Sequence, residues 1–386
     1  MNSYKRLFSR ALAAAPGRLH FCAHSHHLWP DASYEGHLEA WDDAARLSDC
    51  KWERIFGEVI PEGCAHVARE LNLPDPNTIA FAPSTHELLV RLFSAKTGGG
   101  PLDVLTTDGE FHSFRRQSGR WEEDGRIRRR VVACEPFETF SARFLAAFKE
   151  RTPDIAFLSA VMFRTGLRFD NAFELASHAR HDGPWVVIDL YHSFMALPCD
   201  FSGVADKAFL LGGGYKYAMA GEGVAYIHAP AGFAERPSNT GWFAEFSKLE
   251  AKQGAVEYSR DGMRFMGATF DPSGLYRFNA AMKWRAEVGL TTEKNRAHAH
   301  ALQRSFVSKL EGLPISEDQL VVPLSNSARG QFLTFRTPEA NVLSATLKLH
   351  RVITDARGDR LRFGFGPYQD EADLTELHAR LRRVLR

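Results

Sequence analysis

The chain predicts an α/β fold with a mostly parallel sheet, followed by a smaller α+β C-terminal part. Three observations carry this. Short apolar runs recur near residues 79–81, 102–105, 155–158, 186–188, 208–211 and 224–227. Amphipathic stretches at 87–96 and 141–150 separate several of them, and that alternation builds parallel sheets with both faces covered. Beyond about residue 275 the pattern turns to longer helical periods around one strand, 332–335.

In chain order, residues 1–60 read as helical and loop-rich, an N-terminal segment expected to pack near the small domain. Residues 61–280 form the expected large domain and 281–386 the small C-terminal domain, because 386 residues exceed one small core. The stretch 230–272 is irregular and rich in aromatics and glycine, and a connection of that length usually has a function. Helices are expected at 275–288 and 292–310, where Leu302, Phe306 and Leu310 form one buried stripe. A helix at 341–349 follows the strand 332–335. A last helix from about 372 puts Leu374, Leu377, Leu381 and Val384 on one face.

Bulk properties exclude several classes. Hydrophobic residues make up 44% and charged residues 25%, ordinary for a globular protein. A net charge of +1 predicts no nucleic-acid partner and no anionic membrane surface. The one dense basic run, Arg126-Ile127-Arg128-Arg129-Arg130, leads into apolar Val131-Val132-Ala133 and reads as a solvated strand edge. No apolar stretch nears the roughly 18 residues of a membrane span. The basic start of the chain is followed by Ser9 and Arg10, a poor signal sequence. Five scattered cysteines without a CxxC pair suit reduced thiols and a cytoplasmic location.

Two short segments carry the chemistry. Lys216 follows the apolar run Leu210-Leu211 through Gly212-Gly213-Gly214-Tyr215. Burial at a strand end disfavours an ammonium, and the neutral amine is the nucleophile of Schiff-base chemistry. A surface lysine on a turn is the competing reading. Asp189 ends the buried run Trp185-Val186-Val187-Ile188, where ligands of open α/β sheets bind. A carboxylate there can pair with a protonated ring nitrogen, as pyridoxal phosphate requires, or it can simply cap a helix.

Together the two segments resemble the kynureninase family, within the class V branch of pyridoxal-phosphate enzymes. Asp189-Leu190-Tyr191-His192-Ser193 is similar to its Asp-Leu-Ala-His-Ser element, and Tyr215-Lys216-Tyr217 to its Tyr-Lys-Tyr element. The resemblance continues in order through His24-Ser25, Pro83-Ser84-Thr85, Arg164-Thr165-Gly166, Gly241-Trp242-Phe243 and Leu361-Arg362-Phe363-Gly364-Phe365-Gly366-Pro367. It implies fold type I, a homodimer with shared active sites, pyridoxal 5'-phosphate as cofactor and an amino-acid substrate. The implied reaction is hydrolysis of the Cβ–Cγ bond of kynurenine or a relative, a step of tryptophan catabolism, giving alanine and an anthranilate-type product. Another class V activity, such as an aminotransferase, epimerase or β-lyase, is the alternative.

The resemblance assigns roles residue by residue. Lys216 would hold the cofactor and act as base at Cα, with Asp189 and Tyr215 beside it as catalytic groups. Ser84, Thr85 and His86 would form the phosphate cup, where a capped helix N-terminus suits a dianion. Phe111 would stack on the ring, and His192, Trp242 and Thr269 would complete the cofactor site. Arg362 would take the substrate α-carboxylate as a bidentate pair. His24, Ser25, His26 and His27 would border the substrate, with His26-His27 replacing the family's Leu-Gly. No metal is expected, because no cysteine or aspartate joins these histidines at ligand spacing. Departures fall on the substrate side: Phe114 stands where the family has Asp, Met162 where it has Asn, and Phe270-Asp271-Pro272 where it has Pro-Pro.

Overall fold

The computed structural model describes residues 3–248, 254–326 and 329–384. Its centre is a seven-stranded sheet in the order β2-β8-β7-β6-β5-β3-β4. The strands are β2 (Ile79–Ala82), β3 (Leu102–Thr107), β4 (Ile127–Val132), β5 (Ile155–Ser159), β6 (Trp185–Asp189), β7 (Ala208–Gly213) and β8 (Ala225–His228). A short β1 (Leu19–His20) precedes them, and β9 (Phe332–Arg336), β10 (Val352–Ile353), β11 (Asp355–Arg357) and β12 (Arg360–Gly364) follow. Only β8 runs against the others, since it pairs antiparallel with both β7 and β2. Ser84, Phe111, Asp189 and Lys216 therefore all follow the carboxyl ends of co-directional strands.

The apolar runs are strands because both faces are covered. β2, β3, β5 and β7 are buried along their whole length. β4, one of the two edge strands, is the exception. Two adjacent arginines, on opposite faces of the strand, pair with acids: Arg129 Nη2 with Glu122 at 2.7 Å and Arg130 Nε with Asp103 at 3.0 Å. Charged side chains on an edge strand block further pairing. The helix expected from residue 141 begins earlier, at Phe137, directly after Pro136. The helix expected from 87 begins at Thr85, because the Ser84 hydroxyl accepts the Glu87 amide at 3.3 Å.

Two large apolar cores result. One runs from Ile55 to Met282, joined by Phe332, and surrounds the sheet. The other gathers Leu302, Phe306, Phe335, Phe363 and Leu377 around the antiparallel sheet β11-β12-β9. Of the N-terminal segment, helix Asp31–Leu47 packs on helix Ser273–Glu287 and Ile55, Val59 and Ile60 lie in the first core, whereas only the stretch around Leu19 and Phe21 joins this second core. β1 pairs in parallel with β10, Leu19 opposite Val352, and Leu19 and Phe21 are buried there. These two-residue strands lack a readable period. Within 230–272 the described chain is irregular, with short 3-10 turns at Trp242–Lys248 and Gly262–Phe265. Among the described residues, no helix is long and apolar enough to cross a membrane.

Candidate active site

Lys216 reaches the site through a tight loop. β7 ends at Gly213, where a Cβ would strike the Tyr191 ring, so only glycine lets the two segments meet. The backbone then folds back: Gly214 donates its amide to Val224 O at 2.9 Å, and Ala220 donates its amide to Gly214 O at 2.9 Å. Lys216 Nζ lies 2.8 Å from His192 Nε2 and 4.7 Å from the centroid of the Tyr191 ring. Phe111 and Tyr215 each present a ring centroid at 5.6 Å. Burial pushes the Lys216 ammonium down to about 7, and the nearby Arg362 adds to that while Asp189 opposes it. A large neutral fraction at neutral pH is what a nucleophilic lysine needs. Burial, then Lys216 and Arg362, likewise hold the His192 imidazole well below its ordinary range.

Asp189 stands at the end of β6 and accepts the Tyr191 amide at 2.8 Å. It keeps some accessible surface yet is walled in by protein. Burial accordingly raises its acid, against the pull of the Tyr191 amide and Lys216. Phe111 lies in the loop before helix His112–Glu123, 37% exposed and edge-on to Phe163 at 5.3 Å. Ser84 caps helix Thr85–Ala95, with Thr85 half-buried and His86 exposed in its first turn. An amine, a carboxylate, an aromatic face and a helix N-terminus thus share one edge of the sheet. That donor set fits a phosphorylated aromatic aldehyde.

Arg362 projects from β12 and is buried. Its Nη1 donates to Phe163 O and its Nη2 to Asp355 Oδ2. Asp355 is its register partner on β11 and also receives Arg357 at 3.3 Å. Burial lowers the Arg362 guanidinium, and the Asp355 carboxylate raises it back. The N-terminal segment delivers His24 here, because Gly364 donates its amide to Phe21 O at 2.8 Å and Cys22 bridges Gly364. The buried His24 ring stacks on Phe332 at 4.7 Å, and its Nε2 lies 3.8 Å from Asp355 Oδ2. Burial holds His24 neutral, with Arg362, His192 and Lys216 all pressing the same way. Cys22, His24 and Asp355 bring one ligand atom each within 4.8 Å of one another. Two guanidinium groups already occupy Asp355, so this cluster reads as the support of Arg362 rather than a cation site.

The remaining expected residues fall in different places. His26 is exposed, stacks on Tyr215 at 4.9 Å and faces Glu222 at 3.2 Å. Ser25 Oγ lies 3.3 Å from His26 Nδ1. His27 is buried against Tyr217 and Tyr368, and neither ring nitrogen has a hydrogen-bond partner. Trp242 and Thr269 are exposed, and Trp242 stacks on Phe243 at 4.3 Å. Phe114 is core, stacked on Phe157 at 3.8 Å, and Met162 is buried too. Three residues that sequence reasoning passed over also belong to the cluster: Tyr191, Asp355 and Glu110. Asp355 was readable in principle. The pair Gly358-Asp359 at the tip of a two-residue hairpin puts 355 opposite 362.

Residues 296–381 match the kynureninase C-terminal domain. That segment carries β9 to β12, and with them Arg362 and Asp355. The kynureninase of Deinococcus radiodurans is 30% identical over 240 residues, 60% of this chain and 57% of that enzyme, so the match spans little more than half the relative's length. Among solved structures, a cystine C–S lyase in complex with cysteine persulfide superposes with a TM-score of 0.82 at 19% identity, covering 97% of this chain and 99% of that one. A cysteine desulfurase from Thermococcus onnurineus NA1 gives 0.80 at 16% identity, covering 100% and 98%. At such identities the likeness establishes the fold, a large α/β domain of the fold-type-I kind with a smaller α+β domain.

Proposed function

We propose that the protein is a pyridoxal-phosphate-dependent hydrolase of the kynureninase type, cleaving the Cβ–Cγ bond of kynurenine or a related amino acid. The observation that carries this is Lys216, buried 2.8 Å from His192 with its amine pushed down to about 7, at the same sheet edge as Asp189. The similarity to kynureninases in both sequence comparisons supports the choice of reaction.

When bound, the cofactor supplies an electron sink for a carbanion at Cα. The chain does the rest. Ser84, Thr85 and His86 would bind the phosphate at the helix N-terminus, and Phe111 would stack on the ring. Asp189 would pair with the ring nitrogen and keep it protonated. Lys216, whose amine burial pushes down to about 7, would hold the cofactor through its aldehyde and serve as the base that takes the proton from Cα. Arg362 binds the α-carboxylate, while Asp355 holds its guanidinium in place. Burial pushes the Tyr215 phenol up to about 12, so it stays protonated and can donate a proton at Cβ. Water adds its hydroxyl to the γ-carbonyl, the Cβ–Cγ bond breaks, and the products are alanine and an aromatic acid. His24 and Ser25 line the carboxylate end, and His26 borders the side-chain end.

A desulfurase function is disfavoured despite the shared fold. That chemistry needs a persulfide-carrying cysteine in the C-terminal part, and the last cysteine is Cys199. A homodimer belongs to the proposal. Trp242 and Thr269 are exposed as a partner-facing phosphate loop would be, and Trp41, Tyr34 and Leu38 form an exposed apolar face on helix Asp31–Leu47. Five unpaired cysteines suit a reducing, cytoplasmic setting. The test is incubation of the cofactor-loaded protein with kynurenine, assaying alanine and anthranilate. Equal amounts of both support the assignment. Keto-acid or racemised substrate instead would move it to another class V activity.

A further inference from the structure

Glu110 is the most deeply buried acid of the site, fully excluded from solvent, and no step above uses it. It lies between β3 and Phe111. Its Oε1 accepts Thr107 Oγ1 at 2.6 Å and the Ser159 amide at 3.2 Å, and its Oε2 accepts Ser159 Oγ at 2.6 Å. Thr107 ends β3 and Ser159 ends β5. Ser159 is also the register partner of Asp189 on β6. One carboxylate therefore ties three neighbouring features: the end of β3, the end of β5 beside Asp189, and the backbone that carries the Phe111 ring.

We propose that Glu110 is a positioning residue of this site, anchoring the Phe111 loop and placing a second negative charge one strand away from Asp189. The inference rests on the cofactor reading above. A second buried acid would strengthen the field that favours a cationic ring next to Asp189, and the fixed loop would hold Phe111 where it can stack on that ring. Three hydrogen bonds make the ionised form affordable in the interior. Burial nonetheless pushes the acid up to about 7; the Ser159 and Thr107 hydroxyls pull it down and Asp189 pushes it further up. The other titratable group facing Glu110 is the Cys134 thiol, which burial holds protonated. The extra charge is thus present above about pH 7 and fades below it.

The test uses the full-length protein loaded with pyridoxal phosphate and titrates its visible absorbance with pH. Glu110→Gln keeps the shape and removes the charge. The midpoint of the cofactor's protonation is expected to move to lower pH by about 0.5–1 unit. Ser159→Ala, which removes a hydrogen bond to the ionised form, is expected to move it the same way by less. A Glu110→Gln protein with a lowered melting temperature but the wild-type titration overturns the proposal and leaves Glu110 a structural acid. Where Glu110→Gln does not fold, an unmoved midpoint in Ser159→Ala overturns it equally. A wild type that never develops a visible band with added cofactor refutes the cofactor reading itself, a separate outcome from an unmoved midpoint.

Discussion

The Lys216 amine and the His192 imidazole lie 2.8 Å apart in the protein interior, and burial drives both toward their neutral forms. Two cations could not share that distance without a counter-charge. Asp189 and Asp355 supply opposing pull on Lys216, while Arg362 pushes against it. The amine is therefore set near its switching point rather than locked in one state.

The sign of the pH dependence follows. Lys216 is protonated below about pH 7 and free above it. Covalent capture of pyridoxal phosphate by the apoprotein is expected to speed up about tenfold between about pH 6 and 8, as the neutral fraction rises. Stopped-flow absorbance reads this directly. A rate that climbs only above about pH 9 would mark an ordinary solvated lysine.

Asp189→Asn keeps the size and the Tyr191 contact but not the charge. Cofactor binding is expected to survive, and turnover to fall about 100-fold, since the ring nitrogen loses the partner of its proton. Equilibrium dialysis and steady-state kinetics on the same preparation separate the two effects. Near-normal turnover would make Asp189 a cap for the chain at Tyr191 and nothing more.

Six of the seven strands of the large sheet were legible because they are short, mostly apolar runs closed by glycine, proline or polar residues, while β4, with three consecutive arginines, showed only as a basic strand edge. The placement of Asp189 at the end of β6 and of Lys216 just beyond β7 was legible for the same reason, since each sits where such a run stops. The boundary of helix Thr85–Ala95 shifted by only two residues, because its cap was read and its start was set from the apolar period. What the sequence hid is tertiary. Glu110 looks like a surface acid in a turn, and nothing local says that Ser159 closes over it. His26 and His27 are neighbours in sequence, yet one is exposed on Tyr215 and the other is sealed between Tyr217 and Tyr368. The two-residue strands β1 and β10 carry no period at all, and only their pairing makes them visible.

Arg362 and Asp355 should fail differently. Arg362→Ala is expected to weaken every α-amino-acid substrate by a similar factor, through loss of a charge pair worth about 2–5 kcal/mol. Asp355→Ala leaves the buried Arg362 without its counter-ion and is expected to cost about 3–5 kcal/mol of stability. Denaturant unfolding and a KM survey across substrates tell them apart. Equal stability of Asp355→Ala and wild type would show that this pair holds nothing in place.

The two histidines should also separate. His26→Leu is expected to change the ranking among kynurenine, hydroxykynurenine and other amino acids, because its ring lies on Tyr215. His27→Leu is expected to keep the ranking and to change stability by less than about 1.5 kcal/mol, since no hydrogen bond is lost with its ring. Competition assays with paired substrates decide this. A His26→Leu protein with the wild-type ranking would remove His26 from specificity.

The central claim is that Lys216 holds the cofactor, and reductive trapping tests it most directly. The protein is incubated with pyridoxal phosphate, reduced with borohydride, digested and analysed by mass spectrometry. The account expects the reduced cofactor on the peptide containing Lys216, with none on the Lys216→Ala protein. A wild type that takes up no cofactor, or takes it up equally on other lysines after Lys216 is replaced, would contradict it.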